Sequence, residues 1–224
     1  MGSPSHHGSA RTVSIAGFAN VALFVVSLLF GPGQELVAPG LSAERLASLH
    51  QEHRAAILGG VYVANLTWGG VFLVFAGALA AYLASVGSGT ATFPLVGLAG
   101  AVLEAAAILL FCAFSHAAAF VAGAVEPDFV LVLHQGALLA NNLSGIPTIV
   151  CVGAFTLGGR RSGAFPGWVV ALAAVCILLH AVSSISLAAV GWFAPSGPAS
   201  LLAPFTMAFW VLGVSVALLR GVRT

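Results

Sequence analysis

Residues 94–122 read PLVGLAGAVLEAAAILLFCAFSHAAAFVA, a stretch with one acid, Glu104, and no arginine or lysine. As an α-helix rising about 1.5 Å per residue it would cover about 43 Å. The hydrocarbon core of a bilayer is about 30 Å thick. Inside it, backbone groups have no water to bond, so a single spanning segment must be helical. The stretch therefore reads as a transmembrane helix.

Five more stretches meet the same standard: Val13–Phe30, Ala55–Ala84, Phe129–Thr156, Pro166–Phe193 and Leu201–Leu219. The breaks between them carry turn chemistry, as in Gly31-Pro32-Gly33, Glu126-Pro127-Asp128 and Gly158-Gly159-Arg160-Arg161. Pro94 and Pro166 open their helices, where a missing N–H does no harm. The sequence thus predicts an all-α bundle of about six spans, one transmembrane domain over residues 1–224. Val13–Phe30 is too long for a signal-peptide core and no A-x-A site follows it, so it reads as a retained first helix.

Composition agrees. Of the 224 residues 60% are hydrophobic and 6% charged, against about 25% charged in soluble domains. A net charge of +1 leaves no basic stripe for nucleic acid. Cys112, Cys151 and Cys176 each sit in an apolar run without a C-x-x-C and read as packing residues. The seven basic residues are all arginine. With the N-terminus inside, Arg11, Arg160, Arg161, Arg220 and Arg223 are cytoplasmic, and only Arg45 and Arg54 lie outside. The positive-inside rule then places both termini in the cytoplasm. Trp192, near a boundary, reads as an interfacial anchor. His6 and His7 fall in a short polar tail expected to be disordered.

The long connection before the second span has its own pattern. Ser42-Ala43-Glu44 resembles a helix start, with a capping hydroxyl and an acid in the first turn. Leu46, Leu49, His50, His53 and Ile57 follow at helical spacing and share one face. An amphipathic extracytoplasmic helix is expected, resting on the bundle or running into the second span. Small pairs such as Gly77 with Ala81 and Gly97 with Ala101 are expected to bring helices close.

Ionisable groups inside hydrocarbon cost about 2.5–3.5 kcal/mol on insertion scales, so they need partners or a purpose. Glu104 is the only acid inside a span and falls near mid-depth. His180, Asn20, Asn65, Asn141 and Asn142 fall at similar depth on four other helices. Ser183 and Ser184 lie one turn from His180. Asn141-Asn142-Leu143-Ser144-Gly145-Ile146-Pro147 should loosen the fourth span, because Pro147 cannot donate to the Leu143 carbonyl. Interrupted helices at mid-membrane line binding sites in transporters; packed kinks also occur. Together these groups predict a shared polar interior. Any one of them alone reads more simply as a satisfied structural hydrogen-bonder. Glu104 and His180 are the candidate catalytic pair, and Asn65, Asn141, Asn142 and Ser183 the candidate substrate-binding groups.

A second cluster follows from orientation. His116 near the outer end of the third span, His134 at similar depth in the fourth, and His50 and His53 before the second are expected to converge. Neutral imidazoles ligate metals and haem, so these four are the candidate metal ligands, although their spacing fits no specific metal motif. Asn65-Leu66-Thr67 and Asn142-Leu143-Ser144 match the glycosylation pattern but lie within the bilayer. No phosphate loop, H-E-x-x-H or G-x-S-x-G is present.

Some segments carry a resemblance: Gln51-Glu52-His53-Arg54-Ala55-Ala56-Ile57 opening a long apolar helix, His116-Ala117-Ala118-Ala119-Phe120 closing the third span, and Phe165-Pro166-Gly167-Trp168 opening the fifth. On them the chain resembles small six-span integral membrane proteins of actinobacteria. The resemblance implies a bacterial plasma (inner) membrane location and brings no activity, cofactor or catalytic residue.

Three functions stay open. The first is an enzyme doing acid–base chemistry on a hydrophobic prenyl or lipid-like substrate, for example a cyclisation begun by protonation. Glu104 would be the acid, and Tyr62, Trp68, Phe72, Phe75, Phe111 and Phe114 candidate cation-stabilising aromatics. The second is a haem- or metal-binding redox protein using the four histidines. The third is a proton-coupled transporter or binding protein for a small molecule. The bilayer is the expected partner, and the cofactor is left unknown.

Overall fold

The computed structural model describes residues 4–30, 33–38, 40–87, 92–185 and 196–221. Among them all regular structure is helical. Six helical stretches are long and apolar enough to cross a membrane: Gly8–Ser27, Arg54–Val86, Thr92–Val121, Pro127–Arg161, Gly167–Ser184 and Pro198–Gly221. These are the six predicted spans, with ends shifted by a few residues. The predicted end of the fifth span at Phe193, together with Trp192 and Arg223, lies outside the described residues. The first helix, α1 (Pro4–Ser27), begins well before Val13, so helix replaces the tail predicted around His6 and His7.

Between the first two spans stand a short turn of helix, α2 (Gly33–Leu36), and the predicted amphipathic helix, α3 (Ala43–Glu52). Ser42 caps α3 by accepting from the Arg45 backbone N–H at 3.3 Å. Leu46, Leu49 and His50 are buried, as the spacing requires, whereas His53 is half-buried because the helix breaks there. The second span runs as α4 (Arg54–Ala64), a π-helical stretch (Asn65–Val71) and α5 (Phe72–Val86). The third is α6 (Thr92–Val121). The fourth is α7 (Pro127–Leu143) and α8 (Gly145–Arg161), divided at Ser144 as Gly145 and Pro147 lead one to expect. The fifth is α9 (Gly167–Ser184) and the sixth α10 (Pro198–Gly221).

Each span packs on the next in sequence, and the sixth packs on the first, so the six form a closed ring. Phe72, Phe75, Phe155 and Trp210, all fully buried, fill its interior. The outer surface is apolar: Leu95, Leu110, Leu178 and Phe209 are exposed, as bilayer solvent demands. Neighbouring residues on α6 show the two environments, Leu103 being 62% exposed and Glu104 4%.

Close approach depends on glycine at two places. A Cβ on Gly100 would lie 2.7 Å from the Cys151 backbone nitrogen and 2.9 Å from the Pro147 carbonyl oxygen. One on Gly97 would meet the Phe155 ring at 2.7 Å. These glycines let α6 and α8 touch. Gly77 has nothing within 4 Å of such a Cβ, so the close contact expected there is absent.

The two ends of the bundle differ in charge. Arg11, Arg160, Arg161 and Arg220 stand at one end. The end bearing α3 holds Arg45 and Arg54 with Glu35, Glu44, Glu52, Glu126 and Asp128. At the α3 end Arg45 pairs with Glu35 at 3.9 Å and with Glu52 at 3.5 Å. The Arg54 guanidinium donates to the Ala122 carbonyl at 2.7 Å, a cation set at the end of α6.

Candidate functional site

Three of the spans are irregular at one level of the ring. The second carries the π-helical stretch, the fourth breaks at Ser144, and α10 contains Pro204. Such departures free backbone groups and are common where helices meet a site. At this level lies a cavity of about 160 Å³, to which all six spans contribute. Phe24, Trp68, Phe111, Ile108 and Met207 form its apolar wall. Glu104, Asn141, Ser144 and His180 supply its polar groups, with Ser27 at the edge of the first span.

Glu104 is held from α8. The Thr148 hydroxyl bonds its carboxyl group and also donates to the Ser144 carbonyl at 2.9 Å. Oε2 of Glu104 is buried without a hydrogen-bond partner. A buried polar atom left bare costs about 1–3 kcal/mol.

His180 is held by its own helix. Its Nδ1 lies 2.9 Å from the Cys176 carbonyl oxygen. A carbonyl only accepts, so Nδ1 carries the proton and Nε2 keeps a lone pair in the neutral ring. Ser183 and Ser184 donate to the His180 carbonyl at 3.0 and 2.7 Å, and Ser184 also reaches the Asn142 carbonyl at 3.2 Å. Gly145 lets the fourth span close on α9 here, since its Cβ would lie 2.9 Å from the His180 carbonyl.

Glu104, His180 and Asn141 line one cavity. Asn142 and Ser183 are buried but are not in its wall; the Asn142 carbonyl takes the bond from Ser184, and Ser183 bonds within α9. Asn65 is half-buried, opens the π-helical stretch and does not line the cavity. Asn20 ties α1 to the second span instead. Its Nδ2 donates to the Thr67 carbonyl at 2.7 Å, while that carbonyl also takes the Phe72 N–H in the π pattern. Phe24, Trp68 and Phe111 close the cavity as aromatics, and only Trp68 and Phe111 stood among the predicted cation-stabilising rings. Phe24 sits edge-on to Trp68 at 5.7 Å and to Phe205 at 5.2 Å.

Of the four histidines expected to converge, two do. Nε2 of His50 lies 3.4 Å from Nδ1 of His134, and the rings stand edge to face at 5.5 Å. His53 and His116 are half-buried. Among the described residues no group of three or more His, Cys, Asp or Glu side chains is arranged to hold a metal ion.

Compared with known proteins, the chain matches no protein-family model, no curated protein and no solved structure.

Proposed function

We propose that this membrane protein binds a small hydrophobic molecule in the intramembrane cavity and performs acid–base chemistry on it, Glu104 acting as the acid and His180 as its partner. The observation that carries this reading is the buried carboxyl of Glu104, with Oε2 lacking a hydrogen-bond partner, lining a cavity that His180 also lines. A cavity of about 150 Å³ lined by apolar groups holds a benzene-sized molecule. The 160 Å³ found here suits one ring or one five-carbon prenyl unit. The rest of a prenyl or lipid-like chain would lie among the acyl chains outside.

In the reaction a proton on the Glu104 carboxyl adds to an alkene carbon of the bound unit, leaving a carbocation. The π faces of Trp68, Phe24 and Phe111 stabilise that charge. Loss of a proton from a neighbouring carbon, to the Nε2 lone pair of His180 or back to the Glu104 carboxylate, restores a double bond. No oxidant or reductant is needed, and one proton enters as one leaves. The Asn141 amide and the Ser144 hydroxyl orient any polar head group.

The arginine-rich end is assigned to the cytoplasm and the acidic α3 end to the outside, following the positive-inside rule. The resemblance to six-span actinobacterial proteins supports a bacterial plasma membrane.

The test is mass spectrometry of small hydrophobic molecules that co-purify with the protein from a bacterial membrane. Ala64 lines the cavity, so Ala64→Phe should fill it. A molecule enriched with the wild type and lost from a well-folded Ala64→Phe supports the reading. Equal retention by both proteins, or none by the wild type even when short prenyl alcohols are added, would overturn it.

A further inference from the structure

Away from the cavity, two buried titratable rings meet among the described residues, and they join α3 to the fourth span. His50 is 1% exposed and His134 8%. His134 donates to the backbone carbonyl of Leu36 on α2. With that N–H committed, the Nδ1 facing His50 is an acceptor, and His50 donates through Nε2 across 3.4 Å. Nδ1 of His50 is then a bare lone pair, and it is buried with no partner. The pair thus ties α2 and α3 to the bundle, and a proton on the bare Nδ1 of His50 puts an uncompensated charge into this buried contact, while a second proton on His134 removes the acceptor.

We propose that the His50–His134 pair is an acid-operated latch, whose protonation releases the segment 33–52 from the end of the bundle. Two imidazolium rings at this distance repel each other, and burial keeps water from screening them. Among the described residues no carboxylate pairs with either ring. On α3 itself Glu44 and Glu52 are exposed, and Glu52 is engaged by Ser48 at 2.7 Å and by Arg45. Glu35, in α2, pairs with Arg45. Asp128 at the start of α7 is exposed. The other basic side chains are Arg54 of α4, committed to the Ala122 carbonyl, and the half-buried His116 of α6 and His53. Among the described residues the only ion pairs are those of Arg45, and neither latch histidine joins one. Loss of water on burial, with the neighbouring His134 adding to it, lowers the pKa of His50 to about 4, so release belongs to acid conditions. Leu46 and Leu49 are also buried under this segment, an apolar hold that the charged pair must overcome.

The experiment places spin labels at Glu44→Cys on α3 and Ala124→Cys in the exposed turn after α6, in the full chain in nanodiscs. The native cysteines are buried. Distance distributions are read from about pH 7 down to about pH 4. The wild-type background should pass from a single short distance to a majority of longer distances, reversibly. His50→Gln and His134→Gln, alone and together, keep an amide in place of a ring that can charge, so the double variant should stay short throughout. Glu126→Gln, an exposed acid outside the latch, should open like the wild type. A wild-type distribution unchanged down to about pH 4 would overturn the proposal without reference to any variant. So would a folded double variant that opens as the wild type does.

Discussion

The Asn20 side chain on the first span donates to the Thr67 carbonyl within the π-helical stretch of the second, at 2.7 Å. Asn20 is fully buried, and its other amide atom, Oδ1, has no hydrogen-bond partner. The bond fixes the turn that presents Trp68 to the cavity. Asn20→Leu should therefore do two things. It should lower stability by about 1–2 kcal/mol, the usual loss for a buried hydrogen bond, seen as a fall in melting temperature in detergent. It should also weaken retention of whatever co-purifies, because Trp68 loses its anchor. A variant that melts like the wild type would show that this bond does not hold the stretch.

Gly100 and Gly77 offer a paired test of helix contact. Gly100→Ala places a methyl against the backbone of Cys151 and Pro147, which cannot move aside as a side-chain tip can. Overpacking of this kind costs about 1–3 kcal/mol. Gly77→Ala meets open space and removes a flexible residue from a helix, so it should be neutral or stabilising by up to about 1 kcal/mol. Thermal melts of both variants check the ordering, and a reversal would contradict the packing of α6 on α8.

Stability should also depend on pH in a defined direction. An unfolded histidine titrates near 6.5, whereas His50 in the folded protein is held down to about 4. Between those values the unfolded chain binds a proton that the folded chain does not. Stability is thus fully present above about pH 6.5 and falls as pH drops toward about 4. Melting temperature against pH in detergent should show this slope, and His50→Gln should flatten it. A wild-type slope that survives the substitution would assign it to another group.

Orientation can be read directly. Cysteines at Ser162, at the arginine end, and at Ala124, at the α3 end, should label from opposite sides of sealed cells. Ala124→Cys should react with an impermeant reagent and Ser162→Cys only after permeabilisation. The reverse pattern would invert the topology.

The six spans were legible because length and apolarity alone decide whether a helix can cross a bilayer. The start of α3 was legible because Ser42 offers a cap that the first turn requires. Depth was legible too, and it drew attention to Glu104, His180 and Asn141. What depth cannot give is the direction each side chain faces, which depends on how neighbouring helices rotate as they pack. Asn20 and Asn65 share the depth of Glu104, yet one serves the π-helical stretch and the other opens it. The stretch itself has no marker in Asn65-Leu66-Thr67-Trp68. The histidines behaved alike: His50 and His134 meet because α3 lies on α7, whereas His53 falls at the break between α3 and α4.

The central claim is that Glu104 delivers a proton to a bound hydrophobic molecule. It is tested most directly by incubating the full protein in nanodiscs with short prenyl alkenes in heavy water and weighing the recovered hydrocarbons. Protonation of an alkene followed by loss of a different proton leaves deuterium on carbon. The wild type should produce isomerised or cyclised product carrying deuterium. Glu104→Gln, which keeps the shape of the side chain but has no acidic proton, should produce none while melting within a few degrees of the wild type. Recovery of every alkene unlabelled from the wild type, or equal labelling by a folded Glu104→Gln, would contradict the account.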